Sequence, residues 1–316
     1  MICIMHFRFS FLIVALVAFG CAGDVSKGPT PGRPSFEGLR AHSLVEVQVA
    51  FGPRIPGTIG HDLQLQWMLA RLDSFAPEVT ADTFAYVTTY ADSLTLVNVL
   101  ARYRPEADRR ILLLAHWDTR PHSDRAKNPS EQDLPVPGAN DGGSGTAVLL
   151  ELARIMHDAT PPLGVDLLFV DGEDYGPTAA DMFIGARRYA DRLSSLNPYQ
   201  KPIYGVLLDM VGDADPRFPI EGYSAQYALP VARKVWRTAA RLGYSNLFPE
   251  TVGIRLSDDH VPLIEAGLPT IDIIDFTYGG PNNTYWHTPE DTPSNVSAET
   301  LEVVGEVMTE LIYSGG

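Results

Sequence analysis

The chain has 316 residues, 45% of them hydrophobic, with 39 acidic against 24 basic side chains and a formal net charge of −15. That is ample apolar material for one large domain, and the acidic balance argues against nucleic acid and anionic membrane surfaces as partners. Its only cysteines, Cys3 and Cys21, lie near the start, so the body has no disulfide and any transition metal must be held by His, Asp and Glu.

In chain order, residues 1–21 read as an export signal: His6 and Arg8 precede an apolar run, Phe11 to Phe19, too short to span a bilayer comfortably. The run ends in Gly20-Cys21. A small residue before a lone cysteine has the form of a lipoprotein cleavage site. Cys21 would then be a lipid anchor and the protein would face the periplasm or the cell exterior; an ordinary signal peptide is the plainer alternative. Residues 22–35, with three Pro and three Gly and no periodic pattern, read as a flexible tether, leaving 36–316 for the catalytic domain.

Apolar residues recur at helical spacing over 43–51 and 62–72. Residues 84–90 and 94–103, rich in Val, Thr and Tyr, read as a hairpin. The pattern then alternates. Short apolar runs at 111–115, 165–170, 204–208 and 270–274 read as buried strands, and 146–156, 182–193, 230–242 and 298–312 as helices. Largely apolar strands separated by helices predict a single α/β domain, a mostly parallel mixed sheet sandwiched by helices. Trp236, at core spacing with Val231 and Val235, reads as packing. His42, His61, His122 and His157 read as surface or loop residues.

Ligands in such sheets bind beyond the carboxyl ends of the strands. There the chain carries His116-Trp117-Asp118, Asp171-Gly172-Glu173-Asp174 and Asp209, with Tyr285-Trp286-His287 further on. Between the first strand and its helix lies Gly138-Ala139-Asn140-Asp141-Gly142, whose glycines allow a sharp turn that exposes Asp141. Any one of these acids could be a helix cap or a surface charge. Several converging on one sheet edge would repel one another unless a cation compensated them. Carboxylate and imidazole without thiolate suit a catalytic zinc with open positions.

Taken in order, these segments, with Leu208-Asp209-Met210 and Trp286-His287-Thr288-Pro289-Glu290-Asp291-Thr292, resemble the zinc aminopeptidase and glutaminyl cyclase superfamily, the M28 peptidases, from about Ser43 to Tyr313. Within it, Asp258-Asp259-His260 ahead of Pro262, Trp286 before His287, and Leu207 to Gly212 are similar to the bacterial glutaminyl-peptide cyclotransferases, which turn an N-terminal glutamine into pyroglutamate. The resemblance implies one zinc on Asp141, Asp174 and His287, and Glu173 as proton shuttle. It further implies Asp209 and Asp258 at the departing amide, and Trp286 and Asp259 beside the substrate.

Asp174 stands where animal cyclases carry Glu, and Asp272 where they carry a histidine. All five ligand positions of a two-zinc aminopeptidase are also filled, by His116, Asp141, Asp174, Asp209 and His287. Hydrolysis of N-terminal residues with a second metal on His116 and Asp209 is therefore the alternative. Either way the partner is a peptide or protein N-terminus.

Overall fold

The computed structural model describes residues 28–316, with Ile2 alone ahead of them; the stretch read as an export signal and Cys21 lie outside the described residues. A six-stranded sheet carries the fold, in the order β1-β2-β4-β3-β5-β6. Its strands are β1 (Glu78–Val87), β2 (Ser93–Tyr103), β3 (Arg110–His116), β4 (Gly164–Val170), β5 (Gly205–Asp209) and β6 (Thr270–Ile274). β3, β4, β5 and β6 run parallel, and the β1–β2 hairpin adds antiparallel to the β4 edge.

The parallel strands are mostly apolar because both faces are covered, with Asp166 inside β4 and Asp272 inside β6 as exceptions. Leu113, Ala115, Leu167, Phe169, Val206, Leu208, Ile271 and Ile273 point into the larger core. That core also takes residues of α1 (Gly38–Ala50), α2 (Ile59–Phe75), α3 (Gly143–Asp158), α6 (Leu229–Arg241) and α8 (Ala298–Tyr313). The alternate residues Leu112, Leu114, Leu168, Val170 and Leu207 point the other way, onto α4 (Ile184–Leu193) and α7 (His260–Glu265). Trp236 of α6 is fully buried, as the apolar spacing predicts, and its indole donates to the Phe218 carbonyl at 3.0 Å.

Several boundaries differ from the sequence reading. The first hairpin strand covers residues 78–87 rather than 84–90, because Thr88 opens the turn: its N–H donates to the Asp92 carbonyl at 2.9 Å, and Ala91 adopts φ 68°. The early part of β1 is an edge with a polar outer side, so it lacks an apolar signal. Two short helices, α5 (Gly222–Tyr227) and α7, were not anticipated. The stretch read as a tether is held against α8 from Thr30 on. Thr30 donates through its amide (2.9 Å) and hydroxyl (2.8 Å) to buried Glu310, and Arg33 pairs with Glu306 and Glu310.

Candidate active site

The chain runs from β3 through α3 to β4 on one side of β3, then through α4 to β5 on the other. Such a reversal opens a crevice at the carboxyl ends of the strands, and the acids collect there. Asp141 sits in the turn before α3, where Gly142 takes φ 57°. A Cβ at Gly142 would lie 2.8 Å from the His116 ring, so glycine is what lets the turn close over β3.

Two buried aspartates pin the two acid-bearing turns, each by spanning consecutive amides. Asp118 accepts from the amides of Glu173 and Asp174, both at 3.1 Å. Asp291 accepts from the amides of Asn140 (2.7 Å) and Asp141 (3.1 Å), and from the Tyr278 hydroxyl at 2.9 Å. His287, held at φ 55°, stacks on Trp286 with ring centroids 3.9 Å apart.

Asp141, Asp174 and His287 thus come together, their ligand atoms all within 4.8 Å of one another. The separations test the fit of a metal. His287 Nε2 stands 3.5 Å from both Asp141 Oδ2 and Asp174 Oδ2, too far for good hydrogen bonds. Asp174 Oδ2 is buried with no partner at all. An orphaned carboxylate oxygen facing an imidazole and a second carboxylate is a donor set that suits zinc. Around the three, His287 Nδ1 lies 3.1 Å from Asp124, and Arg120 pairs with Asp174 and Asp124, contacts of the kind that orient metal ligands.

A second group, His116, Asp141 and Asp209, shares Asp141 with the first. Here His116 Nε2 lies 3.2 Å from both Asp209 and Asp141, within direct hydrogen-bond reach. Burial alone would lower the imidazole pKa, but the carboxylates of Asp118, Asp141 and Asp209 outweigh it and hold the ring well above its ordinary value. His116 Nε2 thus bridges the two aspartates.

The other carboxyls shift upward. Burial, reinforced by neighbouring Asp174, pushes Glu173 well above the ordinary range. Burial and Asp209 push Asp258 up to about 7; burial also raises Asp209 and takes Asp174 to about 6. Titratable groups moved towards neutral pH in a cleft are the mark of acid–base sites.

Asp141, Asp174 and His287 line a cleft of about 220 Å³ with Glu173, Asp209, Asp258 and Trp286, and Met182, Ile274 and Phe276 complete its wall. A larger hollow of about 490 Å³ near Phe75, Tyr103 and His157 holds none of these residues. Asp259 is the exception among the expected substrate contacts. It does not line the cleft, and both its carboxylate oxygens are buried without partners behind Asp258. The turn that aims Asp258 at the cleft turns its neighbour inward.

Sequence reading missed Arg120, Asp124 and Phe276. The first two follow Asp118 at a spacing that could have marked them, but Phe276 carries no chemical signal. It also mistook His61 for a surface residue: the ring is buried, stacked on Trp117 at 4.3 Å and bonded to Asp171 at 2.9 Å. Asp272 is buried with both oxygens unpaired, in a third group with Asp258 and His260.

The chain is similar to known proteins in sequence and in fold. Aminopeptidase YwaD of Bacillus subtilis is 31% identical over 214 residues, which are 64% of this chain but only 40% of that protein. The crystal structure of Porphyromonas gingivalis glutaminyl cyclase matches with TM-score 0.82 and 40% identity, covering 87% of this chain and 96% of that one. A Zn-dependent exopeptidase from Parabacteroides distasonis matches with TM-score 0.84 and 36% identity, covering 89% and 99%. Residues 98–312 match the family model for Peptidase family M28, and the chain belongs to that family.

Proposed function

We propose that this chain is an exported zinc-dependent glutaminyl-peptide cyclotransferase, converting the N-terminal glutamine of peptides to pyroglutamate with release of ammonia. The observation that carries the reading is the cleft itself. Its volume of about 220 Å³ suits one side chain, its wall is Trp286 and Phe276, and the raised carboxyls of Glu173, Asp209 and Asp258 all line it. The likeness to Porphyromonas gingivalis glutaminyl cyclase over nearly its whole length supports the same reading.

Asp141, Asp174 and His287 would hold one zinc, with Arg120 and Asp124 fixing the orientation of Asp174 and His287. When bound, zinc supplies a Lewis acid for the glutamine γ-carbonyl. The substrate α-amine reacts in its neutral form: its nitrogen bonds to the γ-carbonyl carbon while Glu173 takes one of its two protons. Glu173 hands that proton to the amide nitrogen, whose bond to carbon breaks so that it leaves as ammonia and the ring keeps a single N–H. A carboxyl with its pKa raised by burial is suited to both transfers. Asp209 and Asp258 accept hydrogen bonds from the amide NH₂ group. Trp286 and Phe276, packed edge to face at 4.8 Å, hold the side chain folded back against its own amine, which lowers the entropic part of the barrier.

The second reading is a two-zinc aminopeptidase, favoured by the proximity of His116, Asp141 and Asp209 and by the likeness to aminopeptidase YwaD. Metal content separates the two. The cyclase reading expects one zinc per chain by inductively coupled plasma mass spectrometry, lost in His287→Ala and kept in His116→Ala. Two equivalents, with one lost in each variant, would favour the aminopeptidase.

A further inference from the structure

Beside the metal-ligand cleft lies a second hollow, and the two share a wall. It encloses about 280 Å³ and is lined by Arg217, Pro219, Ile254, Ile274, Phe276 and Thr277. Ile274 and Phe276 also line the cleft that holds Glu173 and Trp286. Two carboxylates border the second hollow, but both are already engaged. Glu221 accepts from the amides of Tyr223, Ser224 and Leu256 and bonds to His260. Asp275 accepts from the amides of Arg217 and Thr277. What faces the hollow is apolar wall plus the exposed guanidinium of Arg217, which has no ion-pair partner among the described residues. Ile254, at 52% exposure, leaves apolar surface open to solvent there.

We propose that this hollow is a specificity subsite for the residue that follows the N-terminal residue of the substrate, and that it selects a large apolar side chain. The proposal rests on the reading that the first residue occupies the metal-ligand cleft. Successive side chains of an extended peptide point in opposite directions, so a chain whose first side chain enters that cleft presents its second across the ridge of Ile274 and Phe276. The space beyond accommodates leucine or phenylalanine, and burial against Pro219, Ile254 and Phe276 removes apolar surface from water. Arg217 at the rim disfavours a basic residue in that position and favours an acidic one, in a protein whose surface is otherwise strongly acidic.

The test compares zinc-loaded full-length protein on peptides that differ only at the second residue: Gln-Leu, Gln-Gly, Gln-Glu and Gln-Lys, each followed by the same tail. kcat/KM is read from whichever product forms, pyroglutamyl peptide or freed first residue, and Kd from calorimetry. Failure of the cyclase reading is therefore seen in the product, while the subsite is judged from the ratios. Wild type should favour Gln-Leu over Gln-Gly about tenfold, the scale of a partly buried aliphatic side chain, mainly through KM and Kd. Ile254→Asp should bring that ratio close to one, and Arg217→Glu should turn a preference for Gln-Glu over Gln-Lys into the reverse, both with melting temperatures near wild type. Equal values for Gln-Leu and Gln-Gly in wild type, or ratios that neither substitution moves, would overturn the proposal.

Discussion

Glu173 and Asp174 are adjacent in sequence yet carry different burdens, and the difference lies in their partners. Asp174 is held by Arg120 and faces His287, whereas Glu173 has only the His116 ring, 3.8 Å away, and burial beside Asp174 raises its pKa. Glu173→Gln should therefore cut kcat by roughly 10²–10⁴-fold, the usual worth of a positioned acid–base group, while zinc content stays at the wild-type level. Zinc loss alongside activity loss would make Glu173 a ligand instead. Asp124 acts through His287, 3.1 Å from Nδ1. Asp124→Ala should weaken zinc binding about 10–100-fold, measured by chelator competition; unchanged affinity would mean the contact orients nothing. The grouping of Asp141, Asp174 and His287 was legible because three short motifs supply it, and histidine and aspartate announce their chemistry. Arg120 and Asp124 carried only a spacing after Asp118, and a surface ion pair and a pair bracing a site side chain look alike until the loop is folded.

The elements that place these side chains depend on close approach between α3 and the sheet. A Cβ at Gly145 would fall 2.0 Å from the Leu208 carbonyl oxygen, so α3 seats against β5 only with glycine there. Gly145→Ala should destabilise by about 1–3 kcal/mol, the cost of overpacking a dense core. Because α3 follows Asp141 and β5 ends at Asp209, the same change should weaken zinc binding. A melting temperature equal to wild type would show that the helix shifts without strain. The four parallel strands could be read from sequence because each buries both faces and is mostly apolar, with Asp166 and Asp272 the interior exceptions in β4 and β6. α5 and α7 could not. Each is one short turn or two, set by local contacts such as Glu221 accepting from the amides of Tyr223 and Ser224 rather than by an apolar stripe.

Across the whole molecule, stability should depend on pH in a direction fixed by the buried acids. A carboxyl whose pKa is higher folded than unfolded holds its proton more tightly in the folded chain. Its contribution is therefore full in acid and is lost as pH rises to the folded value. Burial puts Asp174 at about 6, and Asp258 and Asp291 at about 7. The raised His116 works the same way, its contribution present below the ordinary imidazole value and lost as pH climbs through the folded one. Glu221, brought down to about 2 by His260 and backbone amides against the pull of burial, contributes steadily above the ordinary range and does not offset the trend. Metal-free protein should thus melt at a lower temperature near pH 8 than near pH 5.5. Added zinc should raise the melting temperature more at the higher pH, where its ligands are already deprotonated; scanning calorimetry showing a larger zinc effect in acid would contradict this. Fold class and family were both readable from pattern and motif together. The second hollow beside the cleft was not, because Arg217, Ile254 and Phe276 are far apart in the chain and meet only in the folded protein.

Cyclisation and hydrolysis separate when zinc-loaded protein is incubated with two peptides that differ only in their first residue, glutamine or leucine, and both are followed by mass spectrometry. A cyclotransferase should release ammonia from the glutamine peptide and leave the leucine peptide intact. Release of the first residue from either peptide would contradict the cyclase reading.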